Sequence, residues 1–240
     1  MKNIVALLLT IIMLTHVSLA ANIVQSPDGT LSAEFSLTDK GEPRYQVRKD
    51  KVVVLRESQF GLVRDDADFS KGLALDSASV VEPVEDRYEI LTAKRRLNEY
   101  HANRQVFHLT TTDGKKLDVI FQVSNGGVAF RYHFPETGME KRSINNELSS
   151  FHFPLEAKAF FQPMSVAKTG FELTNPAYEE YVSRDIPVGT PSRLGAGWVY
   201  PALFQAGENW VLLSEGSLAR GDCAGRLRSE SPDRRIDARN

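Results

Sequence analysis

The stretch RQVFHLTTTDGKKLDVIFQVSNGGVAFRYHFPE, residues 104–136, decides the fold class of this chain. Apolar and polar residues alternate along it, and two turn signals, Asp113-Gly114 and Asn125-Gly126-Gly127, interrupt the alternation. A period of two is the pattern of half-buried strands, and short glycine-containing turns connect antiparallel neighbours. The stretch therefore predicts three consecutive antiparallel strands, with a type I′ turn at Asp113-Gly114.

The third of these strands has two different faces. Phe130, Tyr132 and Phe134 share one face, which we expect to lie in the core. Arg131 and His133 share the opposite face, which is a binding surface, a ligand site or the solvated side of a sheet.

The rest of the chain continues the β pattern. Further hairpin turns are predicted at Pro27-Asp28-Gly29, Lys49-Asp50-Lys51 and Gly207-Glu208-Asn209. No long window shows the apolar period of an amphipathic helix. Many short strands in one domain predict an all-β, antiparallel sandwich or barrel, and the less regular, proline-containing segment 138–195 is predicted to form its long loops.

Residues 1–20 are predicted to be a secretory signal peptide. Lys2 precedes an apolar run from Ile4 to Leu14, and Ser18-Leu19-Ala20 supplies small residues before the expected cleavage point. The run is too short to cross a bilayer and no longer one follows, so we expect an exported protein without a membrane span. The single cysteine, Cys223, cannot form an internal disulfide bond.

The charge of the chain argues against nucleic acid as a partner. The sequence holds 29 Lys and Arg against 31 Asp and Glu, a net charge of −2. A nucleic-acid-binding domain carries a clustered positive excess instead.

The C-terminal residues 218–240 differ from the rest in composition. They hold six arginines and almost no large apolar residue, so we expect them neither to close nor to cap a sheet. Residues 21–217 are therefore predicted to form one β domain. A disordered basic tail, or alternatively a truncated or frameshifted end, is predicted to follow it.

Four motifs resemble the N-terminal domain of glycoside hydrolase family 97. They are Ser26-Pro27-Asp28-Gly29, Asn98-Glu99-Tyr100, the turn 125–127 leading into Phe130-Arg131-Tyr132 and Phe134-Pro135, and NWVLLSEGSLARGDCAGRL at residues 209–227. The resemblance runs from about residue 22 to about residue 233. It implies an exported bacterial α-glucosidase or α-galactosidase, in which an N-terminal β-super-sandwich precedes a catalytic (β/α)8 barrel that carries the catalytic carboxylates.

On that resemblance, this chain is a large β-sandwich without its barrel and holds no catalytic residue. It would pack on the catalytic barrel domain and complete a site for an α-linked glucoside or galactoside oligosaccharide. The signal peptide and the family together predict a Gram-negative periplasm. The alternatives are a stand-alone periplasmic carbohydrate-binding or interaction module, and a β-sandwich with a purely structural role.

The resemblance also implies a calcium site. In family members with calcium, the N-terminal domain lends one Glu from a Tyr/Glu-rich loop, and NPAYEEYVSRDIPVG at residues 175–189 offers Glu179 and Glu180. Carboxylate oxygens are the ligands that Ca²⁺ prefers. The spacing does not decide between these two residues, and both can also be exposed loop charges.

The other candidate residues have structural interpretations. Asp65-Asp66 is predicted to be a solvated turn, because neighbours on a strand point to opposite faces and cannot flank one bond. His101 and His108 lack a usual metal-ligand spacing and are predicted to be half-exposed strand residues. Trp198 and Trp210 are predicted to make core or interdomain contacts, with a sugar platform as the alternative.

Overall fold

The protein is described here by a computed structural model that covers residues 22–138, 140–164, 181–216, 225–231 and 235–239. These ranges contain no helix, and every strand pairing in them is antiparallel. Accordingly, no helix among the described residues is long and apolar enough to cross a bilayer. The predicted all-β, antiparallel class is confirmed.

The strands form four sheets. The described strands are β1 Ile23–Gln25, β2 Leu31–Leu37, β3 Pro43–Lys49, β4 Val52–Gln59, β5 Leu62–Arg64, β6 Ala67–Asp68, β7 Ala74–Ala78, β8 Glu82–Glu89, β9 Leu97–Thr110, β10 Lys116–Ser124, β11 Gly127–His133, β12 Ile144–Glu147, β13 Ser150–His152, β14 Lys158–Phe161, β15 Ser183–Pro187, β16 Ala202–Ala206, β17 Asn209–Leu213, β18 Arg226–Leu227 and β19 Arg235–Arg239. A seven-stranded sheet has the order β1-β2-β3-β4-β13-β19-β18, and a five-stranded sheet has the order β11-β10-β9-β7, with β8 also on β9. A three-stranded sheet is ordered β12-β5-β6, and a four-stranded sheet is ordered β15-β14-β16-β17.

The meander predicted from residues 104–136 is confirmed, but one of its turns differs. Ser124 is paired with Gly127, so Asn125 and Gly126 form a two-residue turn. The type I′ turn predicted at Asp113-Gly114 is wrong. Residues 111–115 connect β9 to β10, and within them only Gly114 has a positive φ, of +85°. Its N–H donates to the Thr111 carbonyl at 3.0 Å, which closes a type I turn followed by a left-handed glycine.

A turn with the dihedral signs of type I′ lies at the predicted corner between β3 and β4. Lys49 is paired with Val52, and both residues between them have a positive φ, +48° at Asp50 and +69° at Lys51. This turn suits the right-handed twist of the strands that it joins. The predicted turn before β17 is also present, with Ala206 paired with Asn209.

The seven-stranded and five-stranded sheets pack face to face through aromatic rings. Phe35 on β2 stacks on Phe107 on β9 at 4.5 Å, and Tyr45 on β3 lies 6.4 Å from Phe121 on β10. All four side chains are buried. The face predicted to lie in the core is confirmed as well. The side chains of Phe130 and Tyr132 on β11, and of Phe134 just after it, pack against this core. The architecture is therefore a β-sandwich with an aromatic core.

The prediction that residues 218–240 cannot join a sheet is wrong. Strand β19 pairs with β13, and Ile236 faces Phe151 in that pairing. Ile236 is 1% exposed and Leu227 is fully buried. Ile236 and Ala238 are two residues apart, so both point to the same face of β19, and both are buried. Two such residues are enough for a short strand that joins a sheet whose core is built by other strands.

The contact between Leu227 and the loop before Trp198 gives a stability prediction. Gly197 has φ +105°, and a Cβ atom there would lie 2.2 Å from the Leu227 carbonyl oxygen. Gly195 also has a positive φ, but a Cβ there would meet nothing within 4 Å. We expect Gly195→Ala to cost about 1 kcal/mol for backbone strain, and Gly197→Ala to cost about 2 kcal/mol more because Leu227 is displaced. Urea unfolding of both variants measures the difference, and equal losses would contradict the close approach.

Candidate functional site

The two predicted calcium ligands, Glu179 and Glu180, lie outside the described residues, as do Tyr178 and Cys223. The calcium site therefore stays a prediction. The first described residue after them is Tyr181, whose side chain is 90% exposed. Within the described ranges, no group of three or more His, Cys, Asp or Glu side chains is arranged to hold a metal ion.

Asp65 and Asp66 form the predicted turn, between β5 and β6, but Asp66 belongs to an ion cluster. The Arg64 guanidinium donates to Asp66 and, at 2.8 Å, to Glu136. The hydrogen bond from Arg64 lowers the pKa of Asp66 to about 2. Arg64 is buried, and its guanidinium lies 4.5 Å from the centroid of the Phe134 ring. The cluster ties the turn to the end of the meander, which is a structural role.

The two predicted strand histidines each lie beside a carboxylate, and the Nδ1 atom of His101 is 3.7 Å from Glu85 Oε1. His101 is exposed, whereas His108 contacts Asp118, with 2.7 Å between Nδ1 and Oδ1. The Nδ1 atom of His133 lies 2.9 Å from the other oxygen of the same carboxylate. The three residues are directly paired across β9, β10 and β11, and Asp118 is buried. The imidazole of His133 is thus part of a cross-strand polar row, so its ring already has a partner.

The two tryptophans occupy different environments. Trp198 is 1% exposed and contacts Phe161 edge to face at 4.0 Å, which confirms the predicted core position. Trp210 is 54% exposed, on the outer face of β17. Leu212 follows it on the same face and is 62% exposed.

A groove runs between β11 and β17, and we call it the edge groove. One part, of about 350 Å³, is lined by all five residues of β17, by β11 and by an apolar floor that includes Tyr45, Val47 and Phe151. The neighbouring part, of about 320 Å³, shares Val128, Phe130, Phe151, Leu212 and Leu213 with the first part. Both volumes lie at the lower end of the range for ligand sites.

The second part of the edge groove has an acidic end, formed by Glu147, Tyr200 and Glu215. Burial, followed by the nearby Glu215 charge, raises the pKa of Glu147. Burial also raises the pKa of the Tyr200 hydroxyl. Glu215 is exposed, and its Oε1 atom accepts the Gly225 N–H at 2.6 Å. Two carboxyl groups at one site, one of them with a raised pKa, are a chemical requirement for acid–base work on a glycosidic bond.

Sequence reasoning did not find this pair. Glu147 ends β12 and Glu215 follows β17, so the topology of the fold brings them together. Asp65-Asp66 are adjacent in the sequence, but Asp66 belongs to the ion cluster and Asp65 accepts the Ser143 N–H. No local sequence signal marks two carboxyl groups that meet only through sheet packing.

Comparison with known proteins then gives the relatives of this fold. The family described as "Glycosyl-hydrolase 97 N-terminal" matches residues 24–237. A curated relative, "Probable retaining alpha-galactosidase" of Streptomyces bingchenggensis (strain BCW-1), is 27% identical over 186 residues, which is 78% of this chain and 27% of that protein.

Solved structures agree with the sequence match. "Crystal structure of beta-arabinopyranosidase" has a TM-score of 0.83 and 32% identity, over 90% of this chain and 35% of that chain. A Glycoside Hydrolase Family 97 enzyme from Pseudoalteromonas sp. strain K8, solved in complex with acarbose, has a TM-score of 0.72 and 19% identity, over 90% of this chain and 31% of that chain. The chain thus spans about a third or less of the length of the relatives that it matches.

Proposed function

Because this chain belongs to the glycosyl-hydrolase 97 N-terminal family, we propose that it serves as the non-catalytic N-terminal β-sandwich of an exported α-glycoside hydrolase. It packs on a catalytic barrel domain and closes one side of a site for an α-linked glucoside or galactoside oligosaccharide. The family match over residues 24–237 carries this proposal. The sugar class is supported by the names of relatives, an α-galactosidase and enzymes solved with acarbose or panose.

The outer face of the four-stranded sheet supports docking of a catalytic domain. Phe160, Leu203 and Leu212 are directly paired across β14, β16 and β17, and the Phe160 ring lies 5.3 Å from that of Trp210. Val211 and Leu213 point the other way, towards the core. A contiguous apolar face of this kind on a soluble domain marks an interaction surface. We call it the outer apolar face.

Export and calcium belong to the same proposal. The signal-like residues 1–20 support export, in this family to a periplasm. Glu179 or Glu180 lends one carboxylate to a Ca²⁺ ion whose other ligands come from the catalytic domain. One or two carboxylates bind this cation only weakly, because several oxygen ligands must converge on it.

The rival function is a stand-alone carbohydrate-binding module, and the exposed indole of Trp210 is the observation that favours it. Calorimetric titration of the chain with panose and with acarbose separates the two functions. We expect no saturable heat, because the sugar site needs the catalytic domain. Saturable binding that Trp210→Ala abolishes, and that Trp210→Phe retains, would overturn the proposal in favour of the module.

A further inference from the structure

The edge groove is bounded by two strands that each end a sheet. Strand β11 is the last strand of the five-stranded sheet, and β17 is the last strand of the four-stranded sheet. All five consecutive residues of β17 line the groove, and Val128, Ala129 and Phe130 line its second part. Successive side chains on a strand point to opposite faces. A groove lined by consecutive residues therefore runs along the backbone edges of both strands.

The backbone groups at these two edges lack partners within the described chain. Outside the strand pairings, no backbone–backbone hydrogen bond of the described residues involves Val128–Phe130 or Asn209–Leu213. In an antiparallel edge strand, alternate N–H and C=O groups point away from the only neighbour. Two rows of such groups thus border one groove.

The floor and the ends of the groove add further chemical information. The floor is apolar and lies on the seven-stranded sheet, where it includes Val47, Val54 and Leu55. Glu147 and Glu215 line the second part of the groove, and Lys49 lines the first part. An occupant would therefore place apolar side chains on the floor and a basic side chain at the acidic end.

We propose that the edge groove receives one extended β-strand, which pairs with β11 on one side and with β17 on the other. The inserted strand joins the five-stranded and four-stranded sheets into one continuous sheet, by the strand addition that proteins use to capture extended peptides. It alternates apolar residues towards the floor with polar ones, and β17 sets its length at about five or six residues. The strand belongs to the remainder of the enzyme polypeptide, so this inference rests on the proposed function.

A second copy of this chain fits the groove less well. An edge strand of a second copy has only one free edge, because its other edge is already paired within its own sheet. A groove with two open edges requires a strand that is free on both sides. An extended segment that enters alone meets this requirement.

Amide hydrogen exchange tests the strand directly. The probe is the blocked peptide Ac-Thr-Val-Thr-Val-Thr-Val-Lys-NH₂, and its matched control has the same side chains but an N-methyl group on every residue's backbone amide, so that neither of its edges can donate a hydrogen bond. We expect the unmodified peptide at millimolar concentration to slow exchange at least tenfold in both β11 and β17, and the control peptide to have no effect. Val128→Lys, checked for folding by circular dichroism, is expected to abolish the protection.

Every other outcome overturns the inference. A strand inserted between two edges is excluded if only one of the two edges is protected, or if the N-methylated peptide protects them equally well. It is also excluded if millimolar unmodified peptide protects neither edge. If protection of the edges rises with protein concentration in the absence of peptide, and sedimentation shows a dimer, the groove is occupied by a second copy of the chain. If panose protects the edges, the groove binds a sugar. The titrations and hydrolysis assays that test the proposed function do not depend on this exchange, so the two failures are distinguishable.

Discussion

Replacing Phe60 by alanine is expected to lower the free energy of unfolding by about 3–5 kcal/mol. Phe60 follows β4, is fully buried, and is stacked on Tyr45 at 4.3 Å. Its ring also lies 4.7 Å from that of Phe130 and 5.5 Å from that of Phe121, which belong to the opposite sheet. Removing the ring therefore loses its burial and leaves a cavity where the two sheets meet.

Phe160→Ala is the matched control for this prediction. Phe160 has the same side chain, but it lies half-buried on the outer apolar face, where it contacts Trp210. We expect its replacement to cost about 1 kcal/mol, since water can fill the space that the ring leaves. Urea unfolding of both variants gives the comparison. Similar losses in the two variants would show that the aromatic cluster around Phe60 does not hold the sheets together.

The strand pattern of the central meander could be predicted from the sequence, because a period of two and glycine turns are local properties. The type of turn at Asp113-Gly114 could not, since the choice of a longer loop depends on the hydrogen bonds of Thr111. The Thr111 hydroxyl accepts the Lys115 N–H at 2.9 Å, and the Thr111 N–H donates to the Lys115 carbonyl, also at 2.9 Å. Either loop length fits the same alternation in the flanking strands.

The C-terminal strands were missed for a different reason. Composition suggested that residues 218–240 hold too little apolar surface to enter a sheet, yet Leu227 and Ile236 are buried there. A strand that joins an existing sheet buries its few apolar residues against a core that other strands have built. Average composition does not report this, whereas the alternation of Ile236 and Ala238 does.

The ionisable residues show how far sequence reasoning reaches for a site. The pairing of Asp118 with two histidines depends on the register of β9, β10 and β11, which the sequence does not specify. Glu147, at the end of β12, and Glu215, after β17, come to one end of the edge groove only through the fold. Long-range pairs of this kind follow from topology, so they become visible only in the folded chain.

The second large effect concerns catalysis. We expect the purified chain to leave the hydrolysis rate of an α-glycoside within about tenfold of the buffer rate, whereas enzymes accelerate reactions by about a million-fold or more. Burial raises the pKa of Glu147, which lines the acidic end of the edge groove together with Glu215, and Glu215 is already held by the Gly225 N–H. A glycosidase needs two carboxyl groups that flank the scissile bond, with room for the sugar between them.

The most direct test of the central claim, that this domain is non-catalytic without a catalytic partner, is a hydrolysis assay. The purified chain is incubated with p-nitrophenyl α-glucoside and with p-nitrophenyl α-galactoside in the presence of Ca²⁺, beside its Glu147→Gln and Glu215→Gln variants. The proposed function predicts that all three proteins release p-nitrophenol within about tenfold of the buffer rate. Enzyme-like turnover that stays with the chain through purification and is lost in either variant would contradict it, and would make the acidic end of the edge groove an active site.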